Sequence, residues 1–371
     1  MSSIYYSPVT SIWTNSAIGT LVIGQPGAGK TFFGLNVAAN EIAMGRRVIV
    51  IDPKNDFIKL KNIASEVDIV DVNKIAPGSL NPFTFLDDCD ALTLMTIIEI
   101  ILGDINKDAK GKLSGILQDF VTQSNKYGEY TDMDDVVQYL YMNKNQDVRR
   151  IAQDLKLVEG SKYGPLLFTR EKNIKPLEIS KTKSVVISLL GMPLPSSTIS
   201  KEQYTAEERF TSSIVYILCK KLNDILRDKS PIPTTFFCDE AHILFGNAEM
   251  ARIIHDFLAM GRSLNVAVVL MSQSVTHFPD STPQFMSSKF VFKSAIADAT
   301  EFFEKYDTTG IDLSTEIDRN SMITTIANLE TGQCFYLDHK SRSGIIKIHS
   351  NFDTSLLSSN PLEQTVSGEL K

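Results

Sequence analysis

A glycine-rich stretch near the N-terminus, residues 24–31, has the residue types and the spacing needed to hold a phosphate group. It matches the pattern Gly-x-x-x-x-Gly-Lys-[Ser/Thr] at every defined position. Its glycines permit the positive φ angles that turn successive backbone N–H groups toward one point. Lys30 is therefore expected to reach the β- and γ-phosphates of a nucleotide, and Thr31 to bind Mg²⁺. The predicted nucleotide-binding residues are Gly24, Gln25, Pro26, Gly27, Ala28, Gly29, Lys30, Thr31 and Phe32.

An acidic pair, Asp239 and Glu240, follows a short apolar run at residues 234–238. Carboxylates at the end of a parallel strand lie at the edge of the sheet where ligands of open α/β sheets bind. Asp239 is then expected to hold Mg²⁺ through a water molecule, and Glu240 to orient and deprotonate the water that attacks the γ-phosphate. The alternative is that the pair only provides favourable negative charge at the start of a helix. Together with the phosphate loop, the pair predicts hydrolysis of a nucleoside triphosphate.

Three further side chains are candidates for the same reaction. Gln273 ends the next apolar run, where it can sense the γ-phosphate or position the attacking water; the alternative is an ordinary strand cap. Arg262 and Arg342 are candidates for stabilising charge in the transition state, with a structural surface role as the alternative for each. An arginine that acts on a neighbouring subunit's nucleotide requires an oligomer, so this assignment also predicts self-association.

Other patterns argue against competing chemistries. Residues 239–242 spell the Asp-Glu-Ala-His signature of one RNA-helicase group, but that group's companion motifs do not occur. The five histidines and four cysteines do not have metal-ligand spacing. Residues 143–146 lack the aspartate of the guanine-reading Asn-Lys-x-Asp motif, which favours ATP as the nucleotide. ATP and Mg²⁺ are therefore the predicted ligands.

The elements that must position these residues follow from the pattern of apolar residues. Short continuous apolar runs at 19–23, 46–53, 67–72, 183–190, 234–238 and 266–271 predict buried strands of a mostly parallel sheet. Between residues 86 and 176 the apolar spacing changes to three and four, which predicts an all-helical insertion. We therefore expect an extended lead-in at 1–17, an α/β nucleotide-binding core at 18–85 and 177–350, the insertion at 86–176, and a flexible polar tail at 351–371.

Composition limits the range of functions. The chain has 371 residues, 43% of them hydrophobic, a formal charge of −7 and a pI near 5.4. This charge argues against a protein that coats nucleic acid with its whole surface, although it leaves open a basic lining inside a pore. Unpaired cysteines are typical of a cytosolic protein. No run approaches the roughly 18 apolar residues of a membrane span, so membrane association is expected to come through partners.

The order and spacing of these motifs resemble the conjugative type IV secretion ATPases, the TraC- and TraE-like proteins of the FtsK and HerA superfamily of P-loop ATPases. The resemblance also includes residues 52–57, 80–83 and 261–263, and it implies a RecA-like motor domain that works as a ring, expected to be a hexamer. Two positions depart from the family pattern, namely His242 where an aromatic residue is usual and Ser263 where a basic residue is usual. Members usually carry an N-terminal domain that contacts the channel, so the chain is expected to correspond to the C-terminal motor half or to a truncated relative.

The resemblance implies a P-loop ATPase that converts ATP and water to ADP and phosphate and powers pilus assembly or substrate transfer. Its expected partners are the other subunits of a type IV secretion channel, and its expected location is the cytoplasmic face of the cell membrane. One alternative is a DNA translocase or coupling protein of the FtsK and HerA type, which predicts non-specific DNA binding in the pore. A second alternative is a scaffold whose assembly is gated by nucleotide binding.

Overall fold

A nine-stranded sheet forms the centre of the part of the chain that the structure describes. The structure, a computed structural model, describes residues 6–353 except 15–16, 104, 128–131, 170–173, 198, 229–230, 307–315 and 341. The predicted tail from residue 354 onward lies outside the described residues. The strands are β1 (Gly19–Ile23), β2 (Arg47–Asp52), β3 (Asp68–Asp71), β4 (Val185–Ser188), β5 (Thr234–Cys238), β6 (Val266–Ser272), β7 (Met286–Phe292), β8 (Gln333–Leu337) and β9 (Ser343–Lys347).

The strands are ordered β3-β4-β2-β5-β6-β1-β7-β8-β9 across the sheet. All pairs from β3 to β7 are parallel, whereas β8 and β9 continue the sheet in antiparallel orientation. Parallel sheets require cover on both faces, and β1, β2, β5 and β6 are buried at every position. The predicted α/β fold with a mostly parallel sheet is therefore confirmed.

Helices cover both faces of this sheet. They are α1 (Thr10–Trp13), α2 (Lys30–Ala43), α3 (Pro82–Phe85), α4 (Ala91–Leu102), α5 (Lys107–Tyr127), α6 (Met133–Tyr141), α7 (Gln146–Glu159), α8 (Ala206–Arg227), α9 (His242–Phe245), α10 (Ala248–Leu264), α11 (Ile296–Lys305) and α12 (Glu316–Ala327). Short 3₁₀ helices occur at Phe57–Asn62, Val72–Lys74, Gly164–Leu166, Lys201–Gln203, Val275–His277 and Pro283–Phe285. Residues of β1 alternate between two apolar clusters, since Leu21 and Ile23 belong to one and Val22 to the other.

The helices α4 to α7 lie in sequence between β3 and β4, and the described residues of this segment contain no strand. Helix α4 packs on α8 of the core, so the segment shares the apolar cluster of one sheet face. Side chains that accept hydrogen bonds from the first turn start these helices. Asp90 accepts from the backbone N–H of Thr93 at 2.7 Å, Asn106 from that of Ala109 at 2.8 Å and Asn145 from that of Asp147 at 2.9 Å, and Asp132 forms a capping box with Asp135. The division of the chain into core and insertion at residues 86 and 176 stays a prediction.

The lead-in differs from its predicted extended form, because residues 10–13 form the single helical turn α1. Local hydrogen bonds explain the difference. The Thr10 backbone N–H and hydroxyl both donate to the carbonyl of Ser7, and the Ser11 hydroxyl donates to the carbonyl of Pro8. Such bonds compete with an extended backbone over a few residues.

A buried carboxylate, Glu41 on α2, connects the lead-in to the core. Its oxygens accept hydrogen bonds from the hydroxyls of Ser7 at 2.6 Å and Thr235 at 3.3 Å, and from the guanidinium of Arg46 at 2.9 Å. Burial raises the pKa of Glu41, and the contacts with Ser7 and Arg46 offset part of that effect. The ion pair therefore compensates for the cost of burying the carboxylate.

Replacing Arg46 by methionine is expected to lower the free energy of unfolding by about 3 kcal/mol, because a buried carboxylate loses its cation. Urea unfolding followed by circular dichroism measures the change. The matched control is Lys181→Met, which removes a pair between two exposed side chains, Lys181 and Asp228, and should leave the unfolding midpoint unchanged. Equal midpoints for the Arg46 variant and the unsubstituted chain would contradict the role given to this pair.

Candidate active site

The phosphate loop, residues 24–31, connects the end of β1 to the start of α2. Gly27 and Gly29 have φ angles of 76° and 109°, in the region that disfavours side chains. A Cβ atom on Gly29 would also lie 3.1 Å from the backbone nitrogen of Gly332. Two backbone hydrogen bonds connect the loop to other parts of the core. The N–H of Gly332 donates to the carbonyl of Ala28 at 3.0 Å, and the N–H of Gln25 donates to the carbonyl of Lys293 at 2.8 Å.

The start of α2 suits an anion. Gly29 is its N-cap and provides no capping side chain, so the first N–H groups of the helix keep their capacity to bind a phosphate. Lys30 is buried, and its ammonium donates to the carbonyl oxygens of Gly24 and Gln25, the latter at 3.1 Å. Burial lowers the pKa of Lys30, and the nearby carboxylates of Asp239 and Glu240 act in the opposite direction. The predicted lysine thus lies within electrostatic range of the predicted acidic pair.

Asp239 follows β5 and is almost completely buried. Among the described residues, its Oδ2 atom has no hydrogen-bond partner. Burial raises the pKa of Asp239 to about 7. A buried carboxylate oxygen without a partner fits Mg²⁺, which prefers oxygen ligands and keeps several waters. Thr31, the other predicted ligand, lies in the first turn of α2. No group of three or more histidine, cysteine, aspartate or glutamate side chains among the described residues could hold a metal ion.

Glu240 lies next to Asp239 and has a left-handed backbone with φ of 67°, which is uncommon outside glycine. Its Oε1 atom accepts a hydrogen bond from Gln273 Nε2 at 2.9 Å and another from the Lys54 ammonium. Its Oε2 atom lies 3.4 Å from His242 Nδ1, but neither atom makes a hydrogen bond with a described residue. Although burial raises the pKa of Glu240, the contacts with His242, Lys54 and Gln273 outweigh it and hold the pKa well below its usual range.

The register of the sheet explains why these residues meet. Ile23 pairs with Ser272, so the phosphate loop and Gln273 leave the sheet at the same level. Ile51 pairs with Cys238, which places the end of β2 beside the acidic pair. The backbone N–H of Ala241 donates to the carbonyl of Met271 at 2.7 Å and fixes the turn after Glu240. We call this side of the sheet the carboxyl edge.

The two candidate arginines lie elsewhere in the chain. Arg262 is exposed in the last turn of α10, just before β6 begins, whereas Gln273 follows the end of β6. The seven residues of β6 span roughly 20 Å, so Arg262 lies at the opposite edge of the sheet. Arg342 follows β8, which runs from the carboxyl edge toward that opposite edge, and its guanidinium binds Asp338 at 2.6 Å. The neighbouring Ser341 lies outside the described residues. A single chain therefore does not bring either arginine to Lys30.

Sequence reasoning did not assign a role to Lys54, His242 or His277. The Lys54 ammonium contacts the carboxylate of Glu240. The Nδ1 atom of His242 lies 3.4 Å from Oε2 of Glu240, and the centroids of the His242 and His277 rings are 5.3 Å apart. The His277 Nδ1 atom lies 2.6 Å from the hydroxyl of Ser272, at the end of β6. The available signal for Lys54 was its position two residues after Asp52, at the end of an apolar strand.

A mostly parallel sheet with a phosphate loop after one strand and an acidic pair after another defines the fold as that of a P-loop nucleoside triphosphatase. The chain belongs to the AAA-like domain family, whose sequence profile matches residues 11–359. The RecA-like P-loop fold that the sequence analysis predicted is thus confirmed. A search of curated protein sequences gives no match.

Solved structures are similar over most of their length. VirB4 of Thermoanaerobacter pseudethanolicus aligns with a TM-score of 0.69 at 16% identity, covering 95% of this chain and 93% of that chain. The unbound bacterial conjugative coupling protein TrwB aligns with a TM-score of 0.58 at 13% identity, covering 90% and 85%. TrwB in complex with a non-hydrolysable ATP analogue gives a TM-score of 0.58 at 13% identity, covering 90% and 86%. At these identities the likeness establishes the fold.

Proposed function

We propose that this protein is an ATPase that hydrolyses ATP to ADP and phosphate and drives conjugative or type IV secretion. The observation that carries the proposal is the grouping of Lys30, Asp239, Glu240 and Gln273 at the carboxyl edge of one sheet, beside the start of α2. This grouping contains a phosphate-binding cation, a metal-binding carboxylate and a base for water.

Each residue has a distinct role in this reaction. The N–H groups at the start of α2 and the Lys30 ammonium bind the β- and γ-phosphates. Thr31 and Asp239 would hold Mg²⁺, which would supply positive charge to neutralise the phosphate oxygens. Glu240 accepts a proton from the attacking water, and Gln273, which donates to Glu240, orients that carboxylate. Burial of Asp239 and Glu240 strengthens these electrostatic interactions.

The proposed motor role is supported by the family and by the names of its structural neighbours, VirB4 and the coupling protein TrwB. Both candidate arginines lie away from their own phosphate loop, which favours an oligomer in which a neighbouring subunit completes the site. We propose a hexameric ring that binds other channel subunits at the cytoplasmic face of the membrane. Among the described residues, no helix is both long and apolar enough to span a membrane.

The likeness to a coupling protein also favours a second candidate, a translocase that threads DNA through the ring. This function predicts DNA binding that weakens steeply as salt rises, because each neutralised phosphate releases counterions. DNA binding that is present in low salt and disappears at moderate salt would favour the translocase. Absence of binding in low salt would favour a motor that acts on protein.

Replacing Lys30 by alanine is expected to abolish ATP turnover and to weaken ATP binding, because the buried ammonium is the loop's own cation for the phosphates. Phosphate release at saturating ATP measures turnover, and EDTA should abolish it in the unsubstituted chain. The matched control is Lys183→Ala, an exposed lysine that precedes β4 at the opposite edge. Equal turnover for the Lys30 variant and the unsubstituted chain would refute the proposed site.

A further inference from the structure

Lys54 lies at the carboxyl edge, in the turn that follows β2. Asp52 fixes this turn, since its carboxylate accepts hydrogen bonds from the backbone N–H groups of Lys54 at 3.2 Å and Phe57 at 2.8 Å. Phe57 is completely buried, and Asn55 between them has a left-handed backbone with φ of 66°. The backbone of Lys54 is thus held rigidly, and its side chain remains 44% exposed.

The ammonium of Lys54 pairs with one carboxylate oxygen of Glu240, the proposed base. Each carboxylate oxygen has two lone pairs. Glu240 Oε1 accepts from both Lys54 and Gln273, so both of its lone pairs are engaged. The other oxygen, Oε2, lies 3.4 Å from His242 Nδ1 and is buried. In this arrangement Lys54 neutralises the carboxylate through Oε1, and a paired cation lowers the proton affinity of a carboxylate.

A γ-phosphate bound at the phosphate loop would provide a second negatively charged partner for the Lys54 ammonium. The carboxylates of Asp239 and Glu240 act electrostatically on both the Lys54 and the Lys30 ammonium groups, so both lysines lie close to the same acidic pair. A γ-phosphate bound beside Lys30 would bring negative charge into this cluster. Lysine carries a compact charge on a flexible four-carbon stem, which can move between two anions. Within one chain, neither Arg262 nor Arg342 can compete for that position, because both lie away from the carboxyl edge.

We propose that Lys54 is a sensor of the γ-phosphate: it pairs with Glu240 in the nucleotide-free chain and transfers its ammonium to the γ-phosphate of a bound nucleoside triphosphate. This inference rests on the proposed ATPase function. The transfer removes the cation from Glu240 only when a triphosphate is bound, and this raises the proton affinity of the carboxylate that accepts the proton of the attacking water. A diphosphate lacks the group that attracts Lys54, so the pair with Glu240 persists.

The first test compares nucleotide affinities by titration with fluorescent analogues of ADP and of non-hydrolysable ATP, in the presence of Mg²⁺. Replacing Lys54 by methionine is expected to weaken binding of the triphosphate by roughly 10- to 100-fold, as for loss of a charge-assisted hydrogen bond. Binding of the diphosphate should change less than about twofold by comparison. Lys54→Arg should keep most of the preference for the triphosphate over the diphosphate. Lys74 is exposed, and Lys74→Met should keep all of this preference.

An equal loss of affinity for both nucleotides in Lys54→Met, or no loss, would overturn the sensor role while leaving the ATPase proposal intact. If the unsubstituted chain binds neither nucleotide, the ATPase proposal and the sensor role both fail. Circular dichroism of each variant establishes that the comparison is made on folded protein.

The second test detects the pair itself without measuring turnover. The thermal midpoints of Lys54→Met, Glu240→Gln and the double variant form a cycle that isolates their coupling. Without nucleotide, and with ADP, the shift of the double variant should be smaller than the sum of the single shifts. With the non-hydrolysable triphosphate and Mg²⁺ the shifts should become additive. Coupling that persists unchanged with the triphosphate would show a fixed structural ion pair and refute the transfer.

Discussion

Replacing Glu240 by glutamine is expected to lower ATP turnover by about 100- to 10,000-fold, the range for loss of a general base. Glutamine has the same shape, and its amide oxygen can still accept a hydrogen bond from Gln273, whereas the charge pair with Lys54 is lost. It cannot accept the proton of the attacking water. Affinity for ATP should therefore be retained while phosphate release nearly stops. Steady-state phosphate release and titration with a non-hydrolysable ATP analogue measure the two quantities separately.

The control for this substitution is Glu249→Gln on α10. Glu249 is partly exposed, lies 3.7 Å from Arg252 and does not belong to the proposed site. Its variant should turn over ATP at the rate of the unsubstituted chain. Turnover of the Glu240 variant within about twofold of that rate would remove Glu240 from the role of base. The scaffold alternative makes a different prediction, namely assembly that persists in Glu240→Gln and is lost in Lys30→Ala.

The parts of the fold that sequence predicted well are those encoded locally. β1, the phosphate loop and α2 are contiguous, and the glycine and lysine positions of the loop define the turn by themselves. The acidic pair follows its own strand in the same way. Placing Asp239 and Gln273 at one edge required only the rule that parallel strands end together. Their catalytic roles stay predictions, because position alone does not demonstrate chemistry.

The contacts that sequence missed depend on which strands are neighbours. Lys54 and Glu240 are 186 residues apart, and they meet because β2 lies directly beside β5. Strand order is set by packing of the whole sheet, including the segment between β3 and β4, and no local pattern encodes it. The helical turn α1 in the lead-in was missed for a local reason. Its threonine and serine side chains make hydrogen bonds to nearby carbonyls, and hydrophobic periodicity does not indicate such bonds.

Replacing Arg262 by alanine is expected to lower ATP turnover by about 1,000-fold or more, as for loss of an arginine that acts on transition-state charge. The reason is geometric: Arg262 is exposed at the edge of the sheet opposite its own phosphate loop, so it can act only on a neighbouring subunit's nucleotide. Arg342 is the competing candidate; it follows β8, and its guanidinium binds Asp338. Phosphate release at a protein concentration that supports assembly measures the loss.

Mixing inactive variants separates action within a chain from action between chains. A chain with Lys30→Ala lacks a working loop but keeps Arg262, whereas a chain with Arg262→Ala keeps the loop. In a mixed ring some interfaces join an intact loop to an intact arginine, so activity should reappear on mixing. The same mixture with Arg342→Ala identifies which arginine acts, and Arg252→Ala, which replaces an exposed arginine on α10, is the control.

Full activity of both the Arg262 and the Arg342 variants would contradict an arginine supplied by the neighbouring subunit. Loss of turnover that does not recover on mixing would assign the arginine a structural role in its own chain.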